Sequence, residues 1–395
     1  MSTGRKSVRA IPATAQTSYD VVVIGAGVFG SWTAYHLRRA KKRVLLVDAY
    51  GASNARASSG GESRIIRCGY GADEIYSRFS KASLVQWKAL SSRARIPLFH
   101  KTGVLWLGAA KDPRIAATAA VLGKLKVASE TLGRADLEKR FPQFAFGNFA
   151  TGVFEPESGA LMARRSVQTL VQEMTASGLD LLLESVAPPP SKGRAAFVTT
   201  ASGKKLSAGA FVFACGPWLP KVFPRELGKR IFTTRQEMFF FGPPPGDRRF
   251  TLGAFPAWID AGNFYGLPDL ENRGMKFADD AHGSDFDPDS NDRLVPKASL
   301  EKVRKHLVER FPAMKTAPLV ESRVCQYENT SNGDFLLDRH PTVENIWFAG
   351  GGSGHGFKHG PAVGEYVAGR VLGTRDAEPR FSFANKGTVQ KRSVY

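Results

Sequence analysis

The sequence predicts an α/β protein in which a doubly wound, Rossmann-type domain is interleaved with a second domain built on an antiparallel sheet. A strand–helix–strand pattern with a GxGxxG segment occupies residues 19–48, which is how doubly wound nucleotide-binding domains begin. Two further short apolar runs that end in glycine, 210–216 and 346–352, come much later in the chain. Residues 231–280 alternate aromatic and polar side chains, which is typical of an antiparallel sheet with one face toward a cavity.

The first unit of the predicted nucleotide-binding domain lies at the N-terminal end of the sequence. Tyr19–Ile24 is a β-branched run that ends at a glycine, and Phe29–Arg39 has helical spacing. Arg43–Asp48 predicts a second strand. Ser80–Leu90 predicts a further helix, because its apolar residues recur every three to four positions.

The remaining elements are predicted from the same two kinds of pattern. Strands are expected at Gly103–Leu107, Ala210–Ala214 and Ile346–Ala349. Helices are expected at 166–177 and at Pro361–Leu372, where a proline in the first turn is favourable. Because segments of nucleotide-binding type come from both ends and from the middle of the chain, the two domains are expected to be interleaved.

Composition excludes several classes of protein. The 395 residues are 43% hydrophobic, enough for packed cores and against wholesale disorder. No apolar run approaches the roughly 18 residues that a membrane span needs, so no membrane association is expected. The 55 Lys and Arg against 36 Asp and Glu give a net charge of +19, which fits a nucleic acid, an acidic surface, anionic small molecules or a solvated surface. The basic residues are dispersed, so no nucleic-acid partner is expected.

Cysteine usage and the N-terminal segment bear on the compartment. Three cysteines without a CxxC pair favour neither a disulfide framework nor a metal site, so no metal is expected. Residues 1–17 are polar and basic and lack a hydrophobic signal core, which predicts a flexible tail and a cytoplasmic protein.

The glycine segment carries the first functional prediction. Gly25 allows a tight turn, Gly27 lets the backbone approach a pyrophosphate, and Gly30 permits close packing of helix and strand. Asp48 stands 23 residues beyond Gly25, at the end of the second predicted strand, where a carboxylate binds ribose hydroxyl groups. This pattern predicts a dinucleotide site and leaves NAD and FAD open.

Three further segments carry a family resemblance. Residues 58–67 (SSGGESRIIR), 324–327 (VCQY) and 354–358 (GHGFK) resemble the monomeric sarcosine oxidase and N-methyltryptophan oxidase family, FAD-dependent amine oxidases of the D-amino-acid oxidase superfamily. The resemblance runs from about residue 18 to 373. It implies an α/β fold with a Rossmann-type FAD-binding domain interleaved with an antiparallel-sheet (α+β) substrate domain.

On this resemblance, the chain is divided between the two domains. Residues 18–98, 153–225 and 326–395 are assigned to the FAD-binding domain, and residues 99–152 and 226–325 to the substrate or catalytic domain.

The resemblance also implies a covalent cofactor. Cys325 matches the cysteine to which the family attaches its flavin through a thioether, and a thiolate near cations is a suitable nucleophile for such a bond. A small buried cysteine is the alternative interpretation. Cys68 and Cys215 lack this context and are interpreted as packing residues.

Several charged and aromatic residues match positions at the family's substrate site. The resemblance implies that Arg64 lies against the flavin, that Arg67 and Lys358 bind the substrate carboxylate, and that Lys276 activates oxygen. The expected catalytic residues are Lys276, Arg64, Arg67, Lys358, Tyr265 and Tyr327. The expected cofactor-binding residues are Gly25, Gly27, Val28, Gly30, Asp48, Ser59, Arg64, Cys325, Gly352, Gly354, Gly356, Phe357 and Lys358.

Two positions depart from the family pattern. Gly60 stands where the family often has a histidine, and sarcosine oxidases place a histidine near Asp280, a position for which a substitute role of His282 is left open. These departures put sarcosine itself in doubt, and Asp280 could favour a substrate with a second cationic group.

The resulting hypothesis is a monomeric FAD-dependent oxidase. It would convert a secondary-amine amino acid (N-methyl, cyclic or N-substituted) to an imine with molecular oxygen as acceptor, releasing hydrogen peroxide. The alternatives are a dehydrogenase of the same fold with another acceptor, a tRNA-modifying flavoprotein and a NAD-dependent Rossmann dehydrogenase.

Overall fold

The computed structural model describes residues 19–391, so the tail predicted at residues 1–17 lies outside the described residues. Within that range the strands are β1 (Tyr19–Ile24), β2 (Val44–Asp48), β3 (Ser63–Ile66), β4 (Phe99–His100), β5 (Val104–Gly108), β6 (Glu130–Gly133), β7 (Thr151–Glu155), β8 (Gly159–Met162), β9 (Asp180–Leu183), β10 (Phe197–Thr199), β11 (Lys205–Phe213), β12 (Ile231–Phe241), β13 (Ala257–Asp260), β14 (Phe264–Leu267), β15 (Met275–Asp279), β16 (Leu319–Thr330), β17 (Leu336–Arg339) and β18 (Ile346–Gly350).

The helices lie between these strands. They are α1 (Val28–Arg39), α2 (Glu74–Ala94), α3 (Pro113–Lys124), α4 (Arg134–Arg140), α5 (Ala163–Ala176), α6 (Leu219–Val222), α7 (Pro224–Leu227), α8 (Lys297–Arg310) and α9 (Gly360–Val371). No helix among the described residues is both long and apolar enough to cross a membrane.

A largely parallel sheet forms the first layer. Its order is β17-β18-β11-β1-β2-β9, with β10 paired to β11, and β1 is parallel to both β2 and β11. Helices α1 and α9 pack closely beside it, because Gly364 brings its backbone against Trp32, where an added Cβ would lie 2.4 Å from the Trp32 carbonyl carbon. Strands from three distant parts of the chain thus share one sheet, and the predicted interleaved α/β fold is confirmed.

An eight-stranded sheet in the order β16-β12-β15-β14-β13-β5-β7-β6 forms the second layer. Its neighbours are antiparallel except for β13 and β5, so the prediction for residues 231–280 is confirmed. An aromatic core that includes Phe144, Trp258, Phe277 and Phe311 packs on it. The long pair β12–β16 places Gln236 opposite Cys325, which brings that cysteine to the boundary with the first layer.

A small third sheet, in the order β3-β8-β4, connects the two larger ones. Two of the predicted domain boundaries fall inside strands of the eight-stranded sheet: 152/153 within β7 and 325/326 within β16. Each of these strands continues without interruption across the predicted boundary, because a change in composition does not mark where a strand ends. The domain assignment itself stays a prediction.

Two predicted elements are longer in the structure. The helix predicted at Ser80–Leu90 is α2, which begins at Glu74 because Tyr76 and Phe79 continue its buried face. The strand predicted at Ala210–Ala214 is β11, which begins at Lys205 because its polar first half pairs with β10 rather than entering the core.

Candidate functional site

A cavity of about 360 Å³ opens at the carboxyl ends of β1 and β2, the usual place for a ligand in a doubly wound sheet. Gly25, Gly27 and Asp48 line one end of it. Arg64 and Cys325 line the other end. The cavity therefore joins the predicted dinucleotide site to the predicted flavin attachment site.

Each glycine of the GxGxxG segment has a distinct environment. Gly25 has a φ of +106°, and an added Cβ would lie 2.3 Å from the Ala214 carbonyl oxygen. A Cβ on Gly30 would lie 1.8 Å from the Gly25 carbonyl oxygen, so Gly30 allows the start of α1 to pack closely against the turn that follows β1. Gly30 lines neither the cavity at Gly25 nor the smaller cavity beside it. A Cβ on Gly27 would have only the Ser59 hydroxyl nearby, at 3.5 Å. Gly27 thus leaves the N-terminus of α1 open to an anion.

Ser59 and Asp48 complete this end of the cavity. The Val28 backbone N–H donates to the Ser59 hydroxyl at 3.1 Å. Asp48 accepts hydrogen bonds from the backbone N–H groups of Ala26 at 2.7 Å and Tyr50 at 2.8 Å, and burial raises its pKa. A carboxylate has about four acceptor sites, so Asp48 retains capacity for ribose hydroxyl groups.

A second cavity of about 80 Å³ adjoins the first. Arg67, Tyr265 and Lys358 line it, and both cavities share the walls formed by Arg64, Cys325, Tyr327, Gly354 and Phe357. A ligand in the larger cavity can therefore present one end to a small molecule in the smaller cavity.

Two buried cations line the smaller cavity. The guanidinium carbon of Arg67 lies 4.1 Å from the ring centroids of both Tyr70 and Trp106, and the guanidinium donates to the Gly69 carbonyl. Burial lowers the pKa of Arg67. Lys358 Nζ donates to the Tyr70 hydroxyl at 2.9 Å and to the His355 carbonyl at 3.1 Å. Fixed aromatic and carbonyl partners hold both charges in place, which suits the binding of an anionic group.

Arg64 and Cys325 meet where the cavities join. Arg64 donates to the carbonyl oxygens of Ser63 and Ser58, each at 2.8 Å, and its Nη2 lies 3.7 Å from Cys325 Sγ. Cys325 is 7% exposed. The sulfur therefore has a positive charge beside it and a wall position in both cavities.

The glycine-rich segment before α9 also forms part of the wall of the larger cavity. Gly352, Gly354 and Gly356 all line the larger cavity. Gly354 has a φ of +78°, and an added Cβ would lie 2.7 Å from the Tyr327 ring. Through its glycines this segment presents bare backbone to the cavity, beside the side chains of Ser353 and Phe357.

Lys276 is placed differently from the other predicted catalytic residues. It is 1% exposed, lines neither cavity, and donates to the Ser63 carbonyl at 2.8 Å. Burial, together with Arg64, lowers its pKa. Its Nζ lies 5.6 Å from the centroid of the Tyr265 ring, which does face the smaller cavity. Lys276 is thus separated from the smaller cavity by the Tyr265 ring, and its role in activating oxygen stays a prediction.

Tyr327 and Asp280, both singled out from the sequence, contact each other beside the smaller cavity. The Tyr327 hydroxyl donates to Asp280 at 2.5 Å, and burial and Asp280 raise the pKa of Tyr327.

Two further residues of the site were missed by sequence reasoning. Cys215, interpreted from the sequence as a packing residue, lines the larger cavity, as does Glu328. The available signals were the position of Cys215 at the carboxyl end of β11 and a carboxylate directly after the VCQY segment.

The family model of the FAD-dependent oxidoreductases (DAO) matches residues 20–370. The chain belongs to this FAD-dependent oxidoreductase family. Peroxisomal sarcosine oxidase of Mus musculus is 31% identical over 362 residues, covering 89% of this chain and 92% of the mouse protein. N-methyl-L-tryptophan oxidase of Salmonella heidelberg (strain SL476) is 28% identical over 366 residues, covering 90% and 95%.

The fold of this FAD-dependent oxidoreductase is shared by a solved structure, L-proline dehydrogenase from P. horikoshii. The TM-score is 0.80 at 20% identity, over 93% of this chain and 97% of that one. The residues present fit FAD: Gly27 leaves room for a pyrophosphate, Asp48 has acceptor capacity for a ribose, and the cavity continues to Arg64 and Cys325.

Proposed function

We propose that this protein is an FAD-dependent oxidase of a secondary-amine amino acid, giving an imine and hydrogen peroxide. The observation that carries the proposal is the pair of buried cations, Arg67 and Lys358, in a small cavity that adjoins the cofactor cavity. A buried cation pair in a small space favours a carboxylate ligand. The names of the sarcosine and N-methyltryptophan oxidases that the chain resembles support a substituted amine on the same substrate.

The residues of the smaller cavity orient the substrate. Arg67 and Lys358 bind its carboxylate, and this contact directs the amine and the adjacent C–H group toward the shared wall at Arg64 and Phe357. Tyr265 and Tyr327 enclose the remaining space, which excludes water from the reacting carbon. Gly27, Asp48 and Arg64 would hold FAD, which would supply the redox chemistry: a hydride equivalent accepted from the amine carbon and electrons returned to oxygen.

We also propose that Cys325 holds the flavin covalently through a thioether. Its support is the position of Sγ on the wall shared by both cavities, 3.7 Å from Arg64. Acid precipitation of the purified protein tests it. Flavin colour is expected to stay in the pellet, and to move to the supernatant in Cys325→Ser; colour in the supernatant of the unsubstituted protein would contradict the bond.

A peroxide screen tests the reaction. N-methyl amino acids, cyclic amino acids such as pipecolate and sugar-substituted amino acids are offered to the holoprotein, with the matching primary amino acids as controls. Peroxide is expected with secondary amines that keep their carboxylate and not with their amide or ester derivatives. Equal rates with carboxylate and ester would contradict the proposed roles of Arg67 and Lys358.

One observation favours a second candidate, a dehydrogenase that passes electrons to an acceptor other than oxygen. Lys276, the residue expected to activate oxygen, lines neither cavity and is bonded to the Ser63 carbonyl. Stopped-flow reoxidation separates the candidates. Fast return of the flavin absorbance with dissolved oxygen supports the oxidase, and slow return with oxygen but fast return with an artificial acceptor supports the dehydrogenase.

A further inference from the structure

Glu328 is a buried carboxyl group on the wall of the larger cavity. Its side chain lies on β16 and is 8% exposed. The Oε1 atom accepts a hydrogen bond from the Gly352 backbone N–H at 3.3 Å, while the Oε2 atom has no hydrogen-bond partner among residues 19–391. Leaving a buried polar atom without a partner costs about 1–3 kcal/mol, so a carboxyl group of this kind beside a cavity points to a ligand.

Three glycines lie around the carboxyl group of Glu328. An added Cβ would lie 3.3 Å from this oxygen at Gly350 and 3.9 Å from it at Gly216. On the Oε1 side, an added Cβ at Gly352 would lie 3.5 Å away. Glycines thus flank the carboxyl group on both sides, and a polar group of a bound ligand can take the free acceptor position.

The position of Glu328 along the cavity identifies which part of the cofactor it meets. Gly27 and Asp48 form the end for the adenosine and the pyrophosphate, and Cys325 and Arg64 form the end for the flavin ring. Glu328 lies three residues beyond Cys325 on the same strand and beside the Cys215–Gly216 turn, which follows β11 next to the glycine segment. The part of FAD between its pyrophosphate and its ring is the ribityl chain, which carries hydroxyl groups.

We propose that Glu328 is a cofactor-binding residue whose carboxyl group hydrogen-bonds the ribityl hydroxyl groups of FAD. The inference rests on the FAD of the family and not on the amine substrate proposed above.

The protonation state of the group agrees with this role. Burial raises the pKa of Glu328 to about 7, so near neutral pH a large share of the carboxyl groups carry a proton. A protonated carboxyl both donates and accepts, as a hydroxyl partner requires. Its titratable neighbour is the thiol of Cys215, whose pKa is raised by burial and by the charges of Asp48 and Glu328.

The test compares two ligands that differ only beyond the pyrophosphate. Full-length protein carrying Cys325→Ser is freed of flavin and titrated with FAD and, separately, with ADP, which lacks the ribityl chain and the flavin ring. In this background the result does not depend on whether the flavin is covalently bound. We expect Glu328→Leu to raise the Kd for FAD about three- to tenfold, the value of one or two neutral hydrogen bonds, and to leave the Kd for ADP unchanged. Glu328→Gln, which keeps both hydrogen-bonding functions, is expected to bind FAD nearly as the parent does.

A matched control comes from the same strand. Glu321 lies outside both cavities, and Glu321→Leu is expected to leave both dissociation constants unchanged. An unchanged Kd for FAD in Glu328→Leu would overturn the inference. An equal loss of FAD and ADP binding would also overturn it, since the effect would then be a general disturbance of the cavity.

Discussion

The raised pKa of Glu328 has a consequence for stability that can be measured without substrate. Burial moves this pKa from its ordinary 4.5 to about 7 in the folded protein. As the pH rises from 4.5, the unfolded chain releases this proton first, while the folded chain retains it until about pH 7. The folded state binds more protons in that window, so the free energy of unfolding falls as the pH rises. A tenfold change in proton affinity corresponds to about 1.4 kcal/mol, so the free energy of unfolding loses about 3 kcal/mol from this group as the pH rises through the window.

Glu328→Gln removes the titration and keeps the shape of the side chain. We therefore expect the stability of Glu328→Gln relative to the parent to increase by about 3 kcal/mol between about pH 4.5 and pH 8. Denaturant unfolding of the flavin-free, full-length Cys325→Ser protein at several pH values measures the difference. Glu321→Gln controls for the loss of one carboxylate on the same strand. A constant difference between Glu328→Gln and its parent across this pH range would refute the reasoning.

Three further substitutions address the proposed chemistry. Arg67→Lys keeps a positive charge but loses the planar guanidinium group that lies between the Tyr70 and Trp106 rings. We expect KM for an N-methyl amino acid to rise about tenfold in steady-state kinetics. An unchanged KM would contradict a contact between Arg67 and the substrate carboxylate. Lys276→Met removes a buried amine, and we expect stopped-flow traces to show reoxidation by oxygen slowed about tenfold or more and substrate reduction affected less. Equal slowing of both steps would exclude a specific role in the oxygen step. Asp280→Asn removes a negative charge that faces the smaller cavity. We expect kcat/KM for basic N-methyl amino acids, relative to neutral ones, to fall several-fold. An unchanged ratio would show that Asp280 does not determine specificity for cationic substrates.

The nucleotide end of the site could be read from the sequence because its determinants are local. Gly25, Gly27 and Gly30 lie within one strand–turn–helix unit. The spacing of the three glycines predicts the geometric requirement that each of them meets. Asp48 follows directly on the next strand of the same unit. The predicted fold class and the family were both confirmed.

The flavin end depends on contacts between distant parts of the chain. Arg64 and Cys325 are 261 residues apart in sequence, and only the family resemblance placed them together before the fold was known. Glu328 was missed although it follows the VCQY segment directly, because sequence does not distinguish a buried carboxyl from a solvated one. Lys276 was assigned to the oxygen site by resemblance, and no pattern in the sequence indicates that its amine bonds the Ser63 carbonyl. The monomeric state, the cytoplasmic location and the lack of a nucleic-acid partner stay predictions.

Anaerobic mixing of the purified holoprotein with a secondary-amine amino acid tests the central proposal most directly. We expect the visible flavin absorbance to bleach without oxygen. On admission of oxygen it should return with about one hydrogen peroxide for each flavin, as a two-electron oxidation requires. Bleaching followed by return without peroxide would contradict the oxidase, and a flavin that no secondary-amine amino acid bleaches would contradict the amine substrate itself.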